Sequence, residues 1–214
     1  MELPGQRARS AKIVICHLGG GCSAAATQVN TAVATTFGFS PLDGLLMGPR
    51  SGSVDPGILL YLQRQHGLAL SQLDHDLNYE SGLLGLSGVS ADLADIQAAA
   101  AQGHTRAAIA FAIFADHLRS AVAGLAATLG GLDALVFTDR IGEESPALRA
   151  AVCHSLKFMG VTLDSAKNQH AKADSDVAAA ESRVRIFVLN TEEEWVVANE
   201  VRKVLGTPQR KPKN

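Results

Sequence analysis

Four short stretches of this sequence place charged or imidazole side chains where a loop or a helix start can meet an anion or a cation. The first is His17-Leu18-Gly19-Gly20-Gly21-Cys22-Ser23. Glycines there let backbone N–H groups turn toward an anion, and an adjacent imidazole can donate to a phosphate oxygen. The same residues would equally serve as a plain hairpin turn with His17 packed beside it. The following helix and Lys-Ser/Thr pair of a P-loop are absent. The second stretch, Met47-Gly48-Pro49-Arg50-Ser51-Gly52, holds Arg50 in a loop from which a guanidinium can grip a carboxylate or phosphate with two hydrogen bonds. By itself such an arginine is more often a surface side chain. The third, Phe137-Thr138-Asp139-Arg140-Ile141-Gly142-Glu143-Glu144-Ser145, runs from an apolar segment toward a helix start, the end of an α/β strand where ligands collect. Alone it is an ordinary connection with Ser145 as helix cap. The fourth, Thr191-Glu192-Glu193-Glu194, opens a helix with three acids. The macrodipole explains them, and one could also hold a hydrated Mg²⁺.

These stretches need elements to position them. Lys12–Leu18 is a short β-branched run, and residues 22–27 and 31–36 follow as two more strands about a polar turn at Gln28 and Asn30, a meander. From Asp55 the period becomes helical, with Pro56 in the first turn and Ile58, Leu59 and Leu62 on one face. A second helix is predicted over residues 71–78, capped by Ser71 with Asp74 three positions on. The glycine-rich residues 81–90 read as a loop. Alanine-rich helices are expected over residues 91–101 and 105–129, split by Gly103, with the longer one central. Gly130-Gly131 ends it, and residues 132–138 form a near-continuous apolar strand, hence buried on both faces. A helix over 146–159, a strand over 183–189 and an amphipathic helix over 195–205 complete the pattern. Residues 164–181, small and polar, are expected to be the most mobile internal segment. The succession predicts an α/β layer architecture with a mixed sheet.

Composition narrows the partners. The 214 residues are 47% apolar and 19% charged, ordinary for one globular domain with a real core. A net charge of −2 gives no reason to expect nucleic acid or a membrane surface. The tail with Arg210, Lys211 and Lys213 beside Pro208 and Pro212 reads as a solvated end. Cys16, Cys22 and Cys153 have no metal-ligand spacing and form no even set, so reduced thiols in the cytoplasm are expected. The first twelve residues lack an apolar leader segment. The apolar stretch 107–129 is broken by Asp116, His117 and Arg119, which predicts a buried helix, not a membrane span.

Taken in order, HLGGGCS, FGFSPLDGLLMGPRSGSVDPGI, SGLLGLSGVSADLADI, GGLDALVFTDRIGEESPALR and TEEEWVVANE are similar to acetate kinase, a short-chain acyl kinase of the acetate and sugar kinase, Hsp70 and actin superfamily. The resemblance spans about Lys12 to Leu205. It implies an actin-like ATPase (ribonuclease H-like) domain over residues 12–206, with helices on both faces of a mixed β-sheet, an extension over 1–11 and a basic tail over 207–214. It further implies phosphoryl transfer from ATP, with Mg²⁺, to acetate or another short carboxylate. Arg50 matches the family's catalytic arginine, and His17 the histidine that contacts the transferring phosphoryl group. Gly19, Gly20 and Gly21 are matched to the nucleotide site, together with Asp92 and Leu93 of the adenosine-contacting stretch and the loop Arg140, Ile141, Gly142, Glu143 and Glu144. Glu193 matches a metal-linked glutamate.

The departures fall on the same site. Gly20 stands for an asparagine, Pro49 for a threonine, Ala94 for an arginine against the adenine, Arg140 for a glycine, and Glu144 and Glu192 for asparagines. The resemblance implies that Arg140 obstructs the pocket and that Glu144 repels phosphate. It is to the C-terminal half of such enzymes, so the catalytic aspartate and a second arginine are expected on an N-terminal half, in a truncated gene or as a separate chain. A homodimer through this domain is expected. Propionate or butyrate kinase, and a non-catalytic dimerising or regulatory remnant, are the alternative readings.

Overall fold

The computed structural model describes residues 10–29 and 31–206, so the basic tail, most of the N-terminal extension and Asn30 of the first turn lie outside the described residues. Strands β1 (Lys12–Leu18), β2 (Cys22–Gln28) and β3 (Thr31–Thr35) form the expected antiparallel meander. β4 (Ala134–Thr138) then pairs parallel with β1. A two-residue β5 (Ser175–Asp176) lies antiparallel to β6 (Arg185–Leu189), which is parallel to β4. The sheet order is β3-β2-β1-β4-β6-β5, mixed as predicted.

Strand alternation sets the layers. Val14, Cys16 and Leu18, Cys22, Ala24 and Ala26, Leu135 and Phe137, and Ile186 and Val188 share one face through the strand register and are buried. Helix α5 (Thr105–Leu129) packs on that face against β1, β2 and β3, and also meets α3 (Gly82–Ser87), α4 (Leu93–Ala101) and α7 (Pro146–Ser155). It is long and apolar enough to cross a membrane by composition, yet Ala107, Ala110, Phe114, Leu118, Val122 and Leu125 belong to the core of this fold. The opposite face of the sheet is less covered: Ile13, Ile15, Phe187 and Leu189 are only half-buried. All five residues of β4 are buried, as its apolar run requires. Cys16, Cys22 and Cys153 are free and buried, and burial pushes the Cys22 and Cys153 thiols up to about 12.

Several local expectations change. In α1 (Pro56–His66) the Asp55 side chain accepts from the Gly57 amide at 2.8 Å, as its sequence suggests. In α2 (Leu70–Tyr79), however, Ser71 is not the cap. The helix begins earlier, and the Ala69 carbonyl accepts from the amides of Gln72 and Leu73. Residues 82–87, read as loop, are helical because the amides of Ser81, Leu83 and Leu84 donate to carbonyls of Pro49, Met47 and Gly48. Distant backbone satisfies the donors that a helix start leaves open. α6 (Asp139–Glu144) replaces an expected loop. The helix predicted over 146–159 divides into α7 and a 3₁₀ turn at Lys157–Met159.

The segment expected to be mobile is built into the fold. It contains α8 (Ser165–Gln169), capped by Asp164, and β5, while Val177 and Ala178 are fully buried. The last helix, α9 (Glu193–Val204), buries none of its residues, and Trp195, Val196, Val197 and Val201 are exposed.

Arg149 of α7 is 1% exposed and carries the connection between these pieces. Its Nη1 donates to the carbonyls of Gly142 and Glu143, each at 2.7 Å, while Nε and Nη2 donate to Asn168 Oδ1 and the Asn168 carbonyl at 2.8 and 3.0 Å. Asn168 in turn donates to the Pro146 carbonyl. Arg149→Leu is expected to destabilise the fold by ~3 kcal/mol, because acceptors on two helices lose their buried donor. At this chain length the loss corresponds to a melting temperature ~6–12 °C lower. A calorimetric melt indistinguishable from that of the parent would contradict this.

Candidate active site

β1, β4 and β6 run parallel, so all three end on one edge of the sheet, where α/β folds place ligands. The register sets His17 beside Thr138 and Thr138 beside Leu189. Beyond His17 the chain reverses through Gly19, Gly20 and Gly21, with the Gly19 amide donating to the Gly21 carbonyl at 2.9 Å. Beyond Thr138 it enters α6 through Asp139, whose φ is 64°. That left-handed backbone is uncommon outside glycine, though aspartate tolerates it better than most residues. Asp139 Oδ2 lies 3.2 Å from His17 Nε2. From the start of α9, Glu193 Oε1 lies 3.4 Å from the same nitrogen. The imidazole thus stands between two carboxylates drawn from two other strand ends.

Arg50 reaches this edge from another direction. The turn Met47 to Arg50 is closed by the Met47 amide donating to the Arg50 carbonyl, and Arg50 Nη1 lies 3.9 Å from Met47 Sδ. A Cβ placed on Gly21 would sit 3.8 Å from Nη1, so the guanidinium borders the glycine turn. Among the described residues no carboxylate forms an ion pair with it. A half-buried, unpaired guanidinium beside open backbone is a place for an anion.

The adenosine-matched residues form a second group. Asp92 caps α4, accepting from the Ala94 amide at 2.8 Å through Oδ1, and its Oδ2 pairs with Arg140 Nη2 at 2.9 Å. Leu93 and Ile141 are buried, Gly142 packs on Phe137, and Glu144 is exposed at the rim. The cavity that Asp92, Leu93, Arg140, Ile141 and Glu144 share is only ≈ 30 Å³. Glu143 contributes its carbonyl to Arg149. The Ala94 amide, followed by Arg140, holds the Asp92 carboxyl below its ordinary value, and Arg140 is raised by the same contact. The sequence-derived residues therefore come together as two adjoining groups, joined through the consecutive residues 139 and 140.

Three participants escaped the reading of residue types. Asp139 sat in plain view, but its left-handed backbone and contact with His17 follow only from the strand register. Arg149 could have been found as a lone cation on the apolar face of Leu148, Val152 and Cys153. Thr138 Oγ1, at the end of β4, is the buried side-chain polar atom without a partner among the described residues.

The Acetokinase family model matches residues 1–199. This chain belongs to the acetokinase family. Acetate kinases of Nostoc punctiforme and Gloeobacter violaceus are 46% and 47% identical to it over 204 and 199 residues. These matches cover 95% and 93% of this chain, but 50% and 49% of the relatives. A solved acetate kinase from Porphyromonas gingivalis has a TM-score of 0.87 at 36% identity, covering 92% of this chain and 50% of that one. A propionate kinase from Francisella tularensis subsp. tularensis SCHU S4 has a TM-score of 0.84 at 35% identity, covering 90% and 49%. The actin-like ATPase fold implied by the motifs is thereby established, and the chain spans about half the length of the curated relatives it matches.

The Asp92 pair yields a pH test within this acetokinase fold. Asp92→Ala removes the α4 cap and should cost ~1 kcal/mol, to which the solvent-exposed Arg140 pair adds little. The carboxyl is depressed in the folded state, so its contribution is fully present above the ordinary aspartate value of ~4 and is lost as pH falls through the depressed one. Denaturant unfolding should show a constant difference between parent and variant from about pH 5 to 8, shrinking below pH ~4. A difference that persists undiminished at pH ~2 would refute this linkage.

Proposed function

We propose that this chain supplies the nucleotide side of an acyl kinase that transfers the γ-phosphoryl group of ATP to the carboxylate of acetate, giving ADP and acetyl phosphate. The observation that carries this reading is the unpaired guanidinium of Arg50 against the glycine turn that follows His17, within a chain of the acetokinase family. Phosphoryl transfer of this kind needs positioning and charge neutralisation more than covalent chemistry. Arg50 meets the negative charge spread over the transferring oxygens. His17 offers Nε2–H to one of those oxygens once Asp139 and Glu193, which meet the same nitrogen, give way. Gly19, Gly20 and Gly21 admit the phosphates close to the backbone. Asp92, Leu93, Ile141, Gly142 and Glu143 line the adenosine side, where Arg140 and Glu144 also project.

Mg²⁺ fits the donor chemistry here. Glu193 offers an exposed carboxylate at the strand edge, and Mg²⁺ is commonly held by one or two carboxylates together with substrate phosphates. Bound there, the ion would neutralise phosphate charge. Asp139 and Glu193 also limit how His17 can turn.

Acetate is the first acceptor to assay and propionate the second, since the fold resembles a propionate kinase almost as closely. A cytoplasmic enzyme is the corresponding setting. The exposed side chains Phe39, Leu60, Tyr61 and Leu70 favour self-association into a homodimer, which sedimentation would reveal as a species of twice the chain mass. A solely monomeric boundary at micromolar concentration would count against the dimer.

The 214 residues alone are expected to form no acetyl phosphate above background. Supplying the N-terminal half of a full-length relative in trans should restore hydroxamate-detectable product from ATP and acetate. In that pair Arg50→Ala should lower turnover ~100- to 1,000-fold, the loss typical of one electrostatic donor to a transition state. Full turnover by Arg50→Ala would remove the role given to Arg50, and turnover by the unaided chain would show that its own residues complete the site.

A further inference from the structure

The two groups of the candidate site are bridged by Asp139 and Arg140, and both side chains lie within the cleft proposed for the nucleotide. A Cβ placed on Gly19 would come within 1.8 Å of Asp139 Oδ2, so the carboxylate rests directly on the glycine turn. It meets His17 there, and its other oxygen accepts from the Arg140 amide at 2.6 Å, which fixes the carboxylate in that place. The next side chain turns the other way. Arg140 spans the mouth of the second group to reach Asp92, across the cleft wall formed by the start of α4. What remains beneath is ≈ 30 Å³, the space of about one water, whereas small-molecule sites begin at roughly 300 Å³.

We infer that Asp139 and Arg140 form a built-in plug of the nucleotide cleft: Asp139 takes the anion position over the Gly19 turn beside His17, and Arg140 bars the adenosine side through Asp92. The inference rests on the nucleotide-binding role proposed for this cleft, and adds that the cleft is self-occupied. A carboxylate on the glycine turn meets the same donors as a phosphate oxygen and repels a second anion. A guanidinium tied to Asp92 closes the flat space into which a base would slide. The two are consecutive, so one rearrangement at the start of α6 withdraws both. Ligand affinity is then reduced by the fraction of chains that stand open.

Calorimetric titration of the full chain with Mg·ATP and, separately, with adenosine tests the plug in the parent, Asp139→Gly, Arg140→Ala and the double variant. Glycine accepts the left-handed backbone at position 139 without strain, and a thermal melt verifies that each protein is folded. If the double variant fails to fold, Asp139→Asn, which removes the charge from the glycine turn, and Arg140→Ser, which removes both the bulk and the tie to Asp92, decide the question in the same way. The double variant should bind Mg·ATP at least about tenfold more tightly than the parent, as expected for a cleft open in a tenth or less of the parent molecules. Arg140→Ala should tighten adenosine, while Asp139→Gly should tighten the triphosphate alone. Equal Mg·ATP affinity in all four proteins would overturn the plug and leave the nucleotide role standing. Weaker binding by the double variant would also overturn it, by making residues 139 and 140 ligands instead of obstacles. Folded variants that bind neither probe would overturn the nucleotide role itself, and the plug with it.

Discussion

A buried guanidinium without a carboxylate must find neutral acceptors for its N–H groups, and Arg149 does so by drawing three helices together. Two of its acceptors, the carbonyls of Gly142 and Glu143, belong to the last turn of α6, where a helix leaves its C=O groups unsatisfied. The positive charge also suits the negative end of that helix. Desolvation pulls Arg149 below its ordinary value, and its N–H groups are met by neutral oxygens. Those bonds anchor the far end of α6, so the near end, with Asp139 and Arg140, has a fixed base from which to project. The other two bonds reach Asn168 in α8, which is why the small polar segment around it is ordered.

The second constraint is the parallel register of β1, β4 and β6. Parallel strands end together, and each continues into a different local structure: a glycine reversal after β1, a left-handed step into α6 after β4, and the acidic start of α9 after β6. His17, Asp139 and Glu193 lie far apart in sequence but meet because of this shared edge. Arg50 comes from outside the sheet, from a turn whose carbonyls start α3. A glycine at position 82 is required there, since its φ is 59° and a Cβ would lie 2.4 Å from the Met47 carbonyl oxygen. The loop bearing Arg50 is therefore fixed by backbone hydrogen bonding, leaving the guanidinium free of structural duty.

How much of this was legible in the sequence depended on how local each cause is. The meander, α5 with its bounds, the wholly apolar β4, Pro56 in the first turn of α1 and the cap at Ser145 all rest on residues within a few positions of one another, and all could be read. The α3 helix could not, because its first amides are satisfied by residues some thirty positions earlier, and glycine-rich composition pointed the other way. Ser71 and the segment 164–181 failed for related reasons: a carbonyl at Ala69 replaced a side-chain cap, and Val177 and Ala178 gained burial from strand pairing. Motifs named most of the site residues, yet they could not show that Arg140 meets Asp92 or that Asp139 meets His17. Those contacts depend on φ at one residue and on sheet register, neither of which is written in residue type.

Charge pairing organises the strand edge that carries these side chains. In the role proposed for this cleft, the donors toward phosphate are the imidazole, the glycine backbone and Arg50. Asp139 and Glu193 meet the imidazole, while Asp92 meets the cation that residue 140 introduces. Among the described residues no carboxylate pairs with Arg50. In the proposed role the carboxylates at His17 oppose a phosphate's arrival there, whereas among the described residues no carboxylate stands at Arg50. On that proposal the first contact of an incoming phosphate is Arg50, with His17 reached only after Asp139 gives way.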